Sequence, residues 1–297
     1  MKYFEADFTI FPYSPDAIDL LADVAGEAGF ESFEVTSTGL KGYVQQQLFN
    51  RVALDMGIAA FPIDCVDITY DIHEAEDRDW NEQWEQEGFE PIIVKSEKLK
   101  CEKCSTIIIH DGRHLPDPSL LAHNSPFLIE IDARQAFGTG THETTRMICS
   151  TLLELKGLAG TRVLDCGTGT GILSICALKL GANEAIGYDI DEWSVDNARH
   201  NAVINQVDNH FQSLLGDASI LNKVEGKFNI VLANINRNIL FSDLPSFHKK
   251  MSAGAILILS GFYTSDSPML ISRAEALGLT LKQQKEDHDW ACLVFYL

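Results

Sequence analysis

From Tyr3 to Ile10 the side chains alternate, with Phe4, Ala6, Phe8 and Ile10 on one side and Tyr3, Glu5, Asp7 and Thr9 on the other. Successive residues of a strand point to opposite faces, so this period predicts a strand with one buried face. Ser14-Pro15-Asp16 then predicts a helix start, with Ser14 as cap and Pro15 at the first helical position, where a missing N–H costs nothing. Its apolar stripe holds Ile18, Leu21, Ala22 and Ala25 and stops at Gly29. Two short strands are expected over 32–38 and 42–48, a helix over 50–57 and a strand over 63–71. The order β-α-β-β-α-β is that of a ferredoxin-like plait.

Residues 74–87 read as a charged helix that carries Trp80 and Trp84 on one face, four positions apart. Beyond residue 145 the pattern changes to strands over 162–165, 185–188, 228–233 and 255–260, separated by helices over 171–180, 192–205 and 239–251, with a last strand over 290–297. Such alternation predicts a doubly wound, mostly parallel sheet. The expected organisation is a small α+β domain over residues 1–72, a linker helix over 73–90 and a Rossmann-like α/β domain over 91–297.

Charge narrows the partners. The 23 basic and 43 acidic residues give a formal net charge of -20, which repels phosphate backbones and attracts basic proteins. Direct nucleic-acid binding is therefore not expected. Residues 1–11 mix acids among apolar residues, unlike a signal peptide. The longest apolar run, 253–262, is roughly half of what a bilayer requires, so no membrane span is expected. The seven cysteines form no paired framework, as in a cytoplasmic protein with reduced thiols.

The strand ending at Asp165 feeds a turn with glycines at 167, 169 and 171, followed at once by a helix. Glycine permits positive φ and lets a ligand approach the backbone where a Cβ would clash. A dinucleotide turn has similar needs, but its third glycine is missing: the slot holds Ile172 counted from Gly167, or Ser174 counted from Gly169. The Asp165 carboxylate suits the cationic end of S-adenosylmethionine better than a pyrophosphate. At the end of the next strand Asp189 is placed to hold ribose hydroxyls, while Asp191 suits a helix cap. Asp217, after Gly216, occupies the third cofactor position, where an acid can accept from the adenine amino group. Asn234 ends the fourth strand, on the side of the sheet where α/β folds bind ligands. Its carbonyl can accept from a neutral amine and aim the lone pair at a methyl group. The prolines and aromatic of an Asn-Pro-Pro-Tyr motif are absent after it, which weighs against a flipped adenine as acceptor.

Upstream lies Ala136-Phe137-Gly138-Thr139-Gly140-Thr141-His142-Glu143-Thr144-Thr145, which lacks the Gly-Lys-Ser/Thr ending of a phosphate loop. It resembles the signature of the bacterial ribosomal protein L-eleven methyltransferases, the PrmA family. The resemblance continues through residues 163–174, 187–191, 233–235 and 259–261, and the stretches 79–84 and 89–91 resemble the family's inter-domain region. It implies a class I methyltransferase domain behind a ferredoxin-like domain that recognises the ribosomal protein. It further implies methylation of lysine and α-amino groups of that protein, with S-adenosylmethionine as donor and S-adenosylhomocysteine as product. Thr145, Gly167, Asp189 and Asn234 fall on the family's cofactor-contacting positions. The implied partner is a basic ribosomal protein, met by a monomer. The alternatives are the same fold acting on another protein, RNA or a small amine, or a binding module without chemistry.

The family match is poor over 95–124, which contains Cys101, Cys104, His110 and His114. All four are zinc-ligand types, but the spacer between the pairs is far shorter than the roughly twelve residues of a finger. No metal is expected.

Overall fold

The computed structural model describes residues 3–63, 66–75, 88–96, 106–119, 126–134, 138–155 and 157–297. The chain forms two compact units, Met1–Trp80 and Asn81–Leu297.

The first unit runs β1 (Tyr3–Phe11), α1 (Pro15–Glu27), β2 (Ser32–Val35), β3 (Gly39–Gln45), α2 (Arg51–Ala59) and β4 (Asp67–Glu74). Its four-stranded antiparallel sheet has the order β2-β3-β1-β4. The alternation of β1 buries Ala6, Phe8 and Ile10 against Ile18, Leu21 and Ala25 of α1. Ser14 caps α1 by accepting from the Ala17 N–H at 3.2 Å, and Asn50 caps α2 by accepting from Ala53 at 3.1 Å.

Two strand boundaries differ from those expected. The turn between β2 and β3 falls at residues 36–38, and Gly39 and Gly42 lie inside β3. Gly39 falls between the two expected strands and Gly42 opens the second, but both serve close packing: a Cβ on Gly39 would stand 2.0 Å from the Phe8 carbonyl oxygen, and one on Gly42 2.9 Å from the Phe30 ring. β4 is displaced because its register against β1 runs from Asp67 opposite Phe11 to Glu74 opposite Phe4. Residues 73 and 74, expected in the linker, therefore complete this sheet. The rest of the expected linker helix, with Trp80 and Trp84, falls on 76–87, outside the described residues; Gly88–Glu90 is not helical.

The second unit is built on a seven-stranded sheet. Its parallel members are β8 (Arg162–Cys166), β9 (Glu184–Asp189), β10 (Phe211–Leu215), β11 (Phe228–Asn234), β12 (Met251–Tyr263) and β13 (Thr280–Asp287). β14 (Trp290–Tyr296) runs antiparallel between β12 and β13, in the order β10-β9-β8-β11-β12-β14-β13. Along β11, Ile230 and Leu232 enter one core while Val231 and Ala233 enter the other, as a sheet covered on both faces requires. The first face is packed by α3 (Glu143–Glu154), α4 (Ile172–Lys179) and α5 (Glu192–Ile204), the second by α6 (Arg237–Lys250) and α7 (Ser267–Glu275).

A separate three-stranded sheet, β5 (Ile92–Lys95), β6 (Thr106–His110) and β7 (Phe127–Glu130), packs Ile107, Ile109 and Ile129 into the first core. β10, α7 and β13 went unread in the pattern. In β13 the inward positions carry Gln283 and Lys285, and Lys285 donates to Ser150 Oγ at 2.8 Å and Glu154 Oε1 at 3.0 Å. Polar residues on its inner face hid its period. Among the described residues no helix is long and apolar enough to cross a membrane.

Candidate active site

The turn after β8 has Gly167, Gly169 and Gly171 at φ of +72°, +52° and +82°. The Gly167 and Thr168 N–H groups donate to the Tyr188 carbonyl at 2.9 and 3.0 Å, which locks the turn to β9. A Cβ on Gly167 would stand 2.4 Å from Ile235 Cγ2, so the backbones close around the cleft only with glycine there.

Thr145, Gly167, Gly169, Asp189, Asp217 and Asn234 line one cleft of about 640 Å³ at the carboxyl ends of the parallel strands. A cavity of this size takes a ligand on the scale of a nucleoside derivative. Asp189, at the end of β9, accepts from the Gly169 N–H at 2.9 Å and, through its other oxygen, from Asp191 N–H at 3.2 Å. Asp191 itself caps α5, accepting from Ser194 N–H at 3.0 Å. Asp217 accepts from the Ser219 N–H at 2.9 Å, and the Ser219 hydroxyl and N–H hold its exposed carboxyl below the usual range. It is ionised at neutral pH.

Asp165 is not where its chemistry suggested. Its side chain is fully buried and does not line the cleft. One oxygen accepts from Thr168 Oγ1 at 2.8 Å, Ser174 Oγ at 2.8 Å and Ser174 N–H at 3.2 Å, tying the turn to the first turn of α4. The other oxygen has no partner among the described residues, and burial pushes the carboxyl up to about 6. Asp165 shapes the turn from beneath, behind the residues that line the cleft.

Asn234 ends β11 opposite Ser260 of β12. Its Nδ2 donates to Thr145 Oγ1 at 3.4 Å, and Thr145 is fully buried in the first turn of α3. Its Oδ1 is buried and has no hydrogen-bond partner among the described residues. An orphaned acceptor costs free energy unless a ligand supplies the donor. At the same end of the sheet Trp290 stacks on Tyr263 with centroids 4.4 Å apart and packs edge-to-face with His142, the cap of α3, at 4.7 Å.

Asp243 and Tyr188 were not foreseen. Both line the cleft, and the buried Tyr188 hydroxyl has no partner among the described residues. Burial raises the Asp243 carboxyl, and the charge of Asp217 adds to that, against a lowering hydrogen bond from Ser242. Nothing in the period of α6 marks Asp243; only the topology brings it under the loop after β10.

The described lining holds three aspartates and neither lysine nor arginine. A pyrophosphate would face carboxylates, and the Gly169 N–H it would use is already given to Asp189. A cationic, phosphate-free nucleoside is compatible with this acidic lining. His110 and His114, two of the four zinc-ligand types, are separately engaged. His110 Nδ1 accepts from Gly112 N–H at 3.1 Å, and His114 Nδ1 meets Asp111 Oδ2 at 2.7 Å. Cys101 and Cys104 lie outside the described residues.

The family model of ribosomal protein L11 methyltransferase (PrmA) matches residues 24–296. The chain belongs to this family. It is 41% identical over 297 residues to a ribosomal protein L11 methyltransferase of Phocaeicola vulgatus, and 42% identical over 297 residues to one of Bacteroides fragilis; each alignment covers 100% of both chains. A ribosomal protein L11 methylase from Lactobacillus delbrueckii shares the fold, with a TM-score of 0.59 and 24% identity over 70% of this chain and 98% of that one. The strand order is accordingly that of a class I methyltransferase, and the methyl donor of this PrmA-family enzyme is S-adenosylmethionine.

Proposed function

We propose that this protein methylates lysine and α-amino groups of ribosomal protein L11 in the cytoplasm, releasing S-adenosylhomocysteine. The observation that carries the amine chemistry is the unpartnered, buried Oδ1 of Asn234 on the cleft wall.

The donor supplies a methyl carbon bonded to a positively charged sulfur. Asp189 would hold the ribose hydroxyls and Asp217 the adenine amino group, while Gly167 and Gly169 admit the ligand to the backbone. Asn234 Oδ1 accepts one N–H of the neutral acceptor amine and so turns its lone pair toward the methyl carbon. Thr145 fixes the side-chain amide in that orientation. The new N–C bond forms as the C–S bond breaks, the electron pair of the broken bond stays on sulfur, and the amine proton passes to solvent. This is catalysis by positioning, with no general base required of the protein. Trp290, Tyr263 and His142 offer an aromatic wall for the stem of a lysine or for an alkylated ammonium.

The acidic balance of the chain favours a basic partner, and the first unit would serve as its docking domain. The test is transfer of a radiolabelled methyl group to separated ribosomal proteins and rRNA from cells lacking the enzyme. Label in one basic protein, lost with Asn234→Ala, supports the reading; label confined to rRNA refutes it.

A further inference from the structure

Asn197 and Asn201 of α5 and Asn205, its C-cap, follow at successive four-residue steps along one face of the helix. All three are buried, Asn201 completely. Asparagine is a poor residue for a helix interior, and a buried amide is costly unless hydrogen-bonded. Apolar residues would pack this face at lower cost, so the ladder does something that packing alone does not.

Its partners show what. Asn205 Oδ1 accepts from the Glu130 N–H at 3.0 Å and its Nδ2 donates to the Glu130 carbonyl at 2.6 Å. Asn201 Oδ1 accepts from the Asp132 N–H at 3.0 Å, and Asn197 Nδ2 donates to the Asp132 carbonyl at 2.9 Å. The side chains thus continue the ladder of β7 on the side where, among the described residues, no further strand pairs with it. His200 adds a contact from the rim, Nε2 to Asp132 Oδ2 at 2.9 Å. The other arm of Asn201 reaches the cofactor turn, donating to the Thr170 carbonyl at 2.9 Å. Thr170 in turn donates through Oγ1 to the Gly138 carbonyl at 2.5 Å. Residues 130–132 and Gly138 are therefore both tied to one residue of the turn. Gly138 and Thr145 line the cleft, and Thr145 holds Asn234.

We propose that Asn197, Asn201 and Asn205 are positioning residues that set residues 130–132 and, through Thr170, Gly138 in register against the cofactor turn, so that the cleft is formed before the donor arrives. Backbone-specific amide pairs fix register to a single residue, which an apolar stripe cannot do. A cleft assembled in advance loses less order on binding. The inference rests on the assignment of this cleft to S-adenosylmethionine.

The test is a double-mutant cycle on S-adenosylhomocysteine affinity, by calorimetry well below the melting temperature, with Asn201→Ala and Thr170→Val. Both changes loosen the same segment, one from each end. Each is expected to weaken binding at least fivefold, and the double variant by clearly less than the product of the two. The KM for the donor should rise in each. Should Asn201→Ala fail to fold, Asn197→Ala replaces it in the cycle. Folded variants that bind like wild type and differ only in melting temperature would overturn the proposal, as would losses that multiply. Wild type that does not bind S-adenosylhomocysteine would instead remove the cofactor assignment itself.

Discussion

Two aspartates beside the glycine turn do different work, and their hydrogen bonds separate them. Asp189 lines the cleft with each oxygen steadied by a backbone N–H, the arrangement our assignment of it to the ribose requires. Asp189→Ala removes charged hydrogen bonds of roughly 1.5–3 kcal/mol, and S-adenosylhomocysteine affinity measured by calorimetry should fall at least tenfold. Asp165 is buried, with its carboxyl raised from 3.8 to about 6. Its proton is bound more tightly in the folded chain than in the unfolded one. Its contribution to stability is therefore full below about pH 4 and is lost as the pH rises to about 6. At 1.36 kcal/mol per unit the loss is on the order of 3 kcal/mol. Urea melts at several pH values should show the wild-type stability falling relative to Asp165→Asn across that window. A constant difference would mean that Asp165 does not titrate there.

At the scale of elements, what was legible followed from local chemistry. Ser14-Pro15 marks a helix start because its capping bond is local, and β8, β9 and β11 are continuous apolar runs because both faces are covered. Asp189, Asp217 and Asn234 were readable because the fold puts the ends of parallel strands at the ligand. What was not legible depended on distant partners. Gly39 looks like a turn residue until the Phe8 backbone is seen against it. Asp165 looks like a ligand until Thr168 and Ser174 are seen to hold it. β13 is recognised only once Lys285 is paired with Glu154 of α3, whose side chain is 7% exposed. Lys285→Ala would take the ammonium from that buried carboxylate, which keeps the Gln283 amide at 3.5 Å, and should lower stability by about 2 kcal/mol in thermal or urea melts. A loss under about 0.5 kcal/mol, as at an exposed pair, would show that the contact contributes little.

On the scale of the whole molecule, two properties converge: a cleft built for a cationic nucleoside, and a net charge of -20 that draws basic partners. Long-range attraction of this kind is screened by salt. The KM for a basic protein substrate should rise severalfold between low and physiological ionic strength, while the KM for the neutral-to-cationic donor changes much less. Equal salt response of both would point away from electrostatic capture of the substrate. The most direct measurement is intact-mass analysis, with fragment mapping, of unmethylated ribosomal protein L11 after incubation with this enzyme and S-adenosylmethionine. Additions in steps of one CH2, mapped to lysine and α-amino nitrogens and absent with Asn234→Ala, are the expected result. An unchanged mass with active, donor-binding enzyme, or additions on atoms other than amine nitrogen, would contradict it.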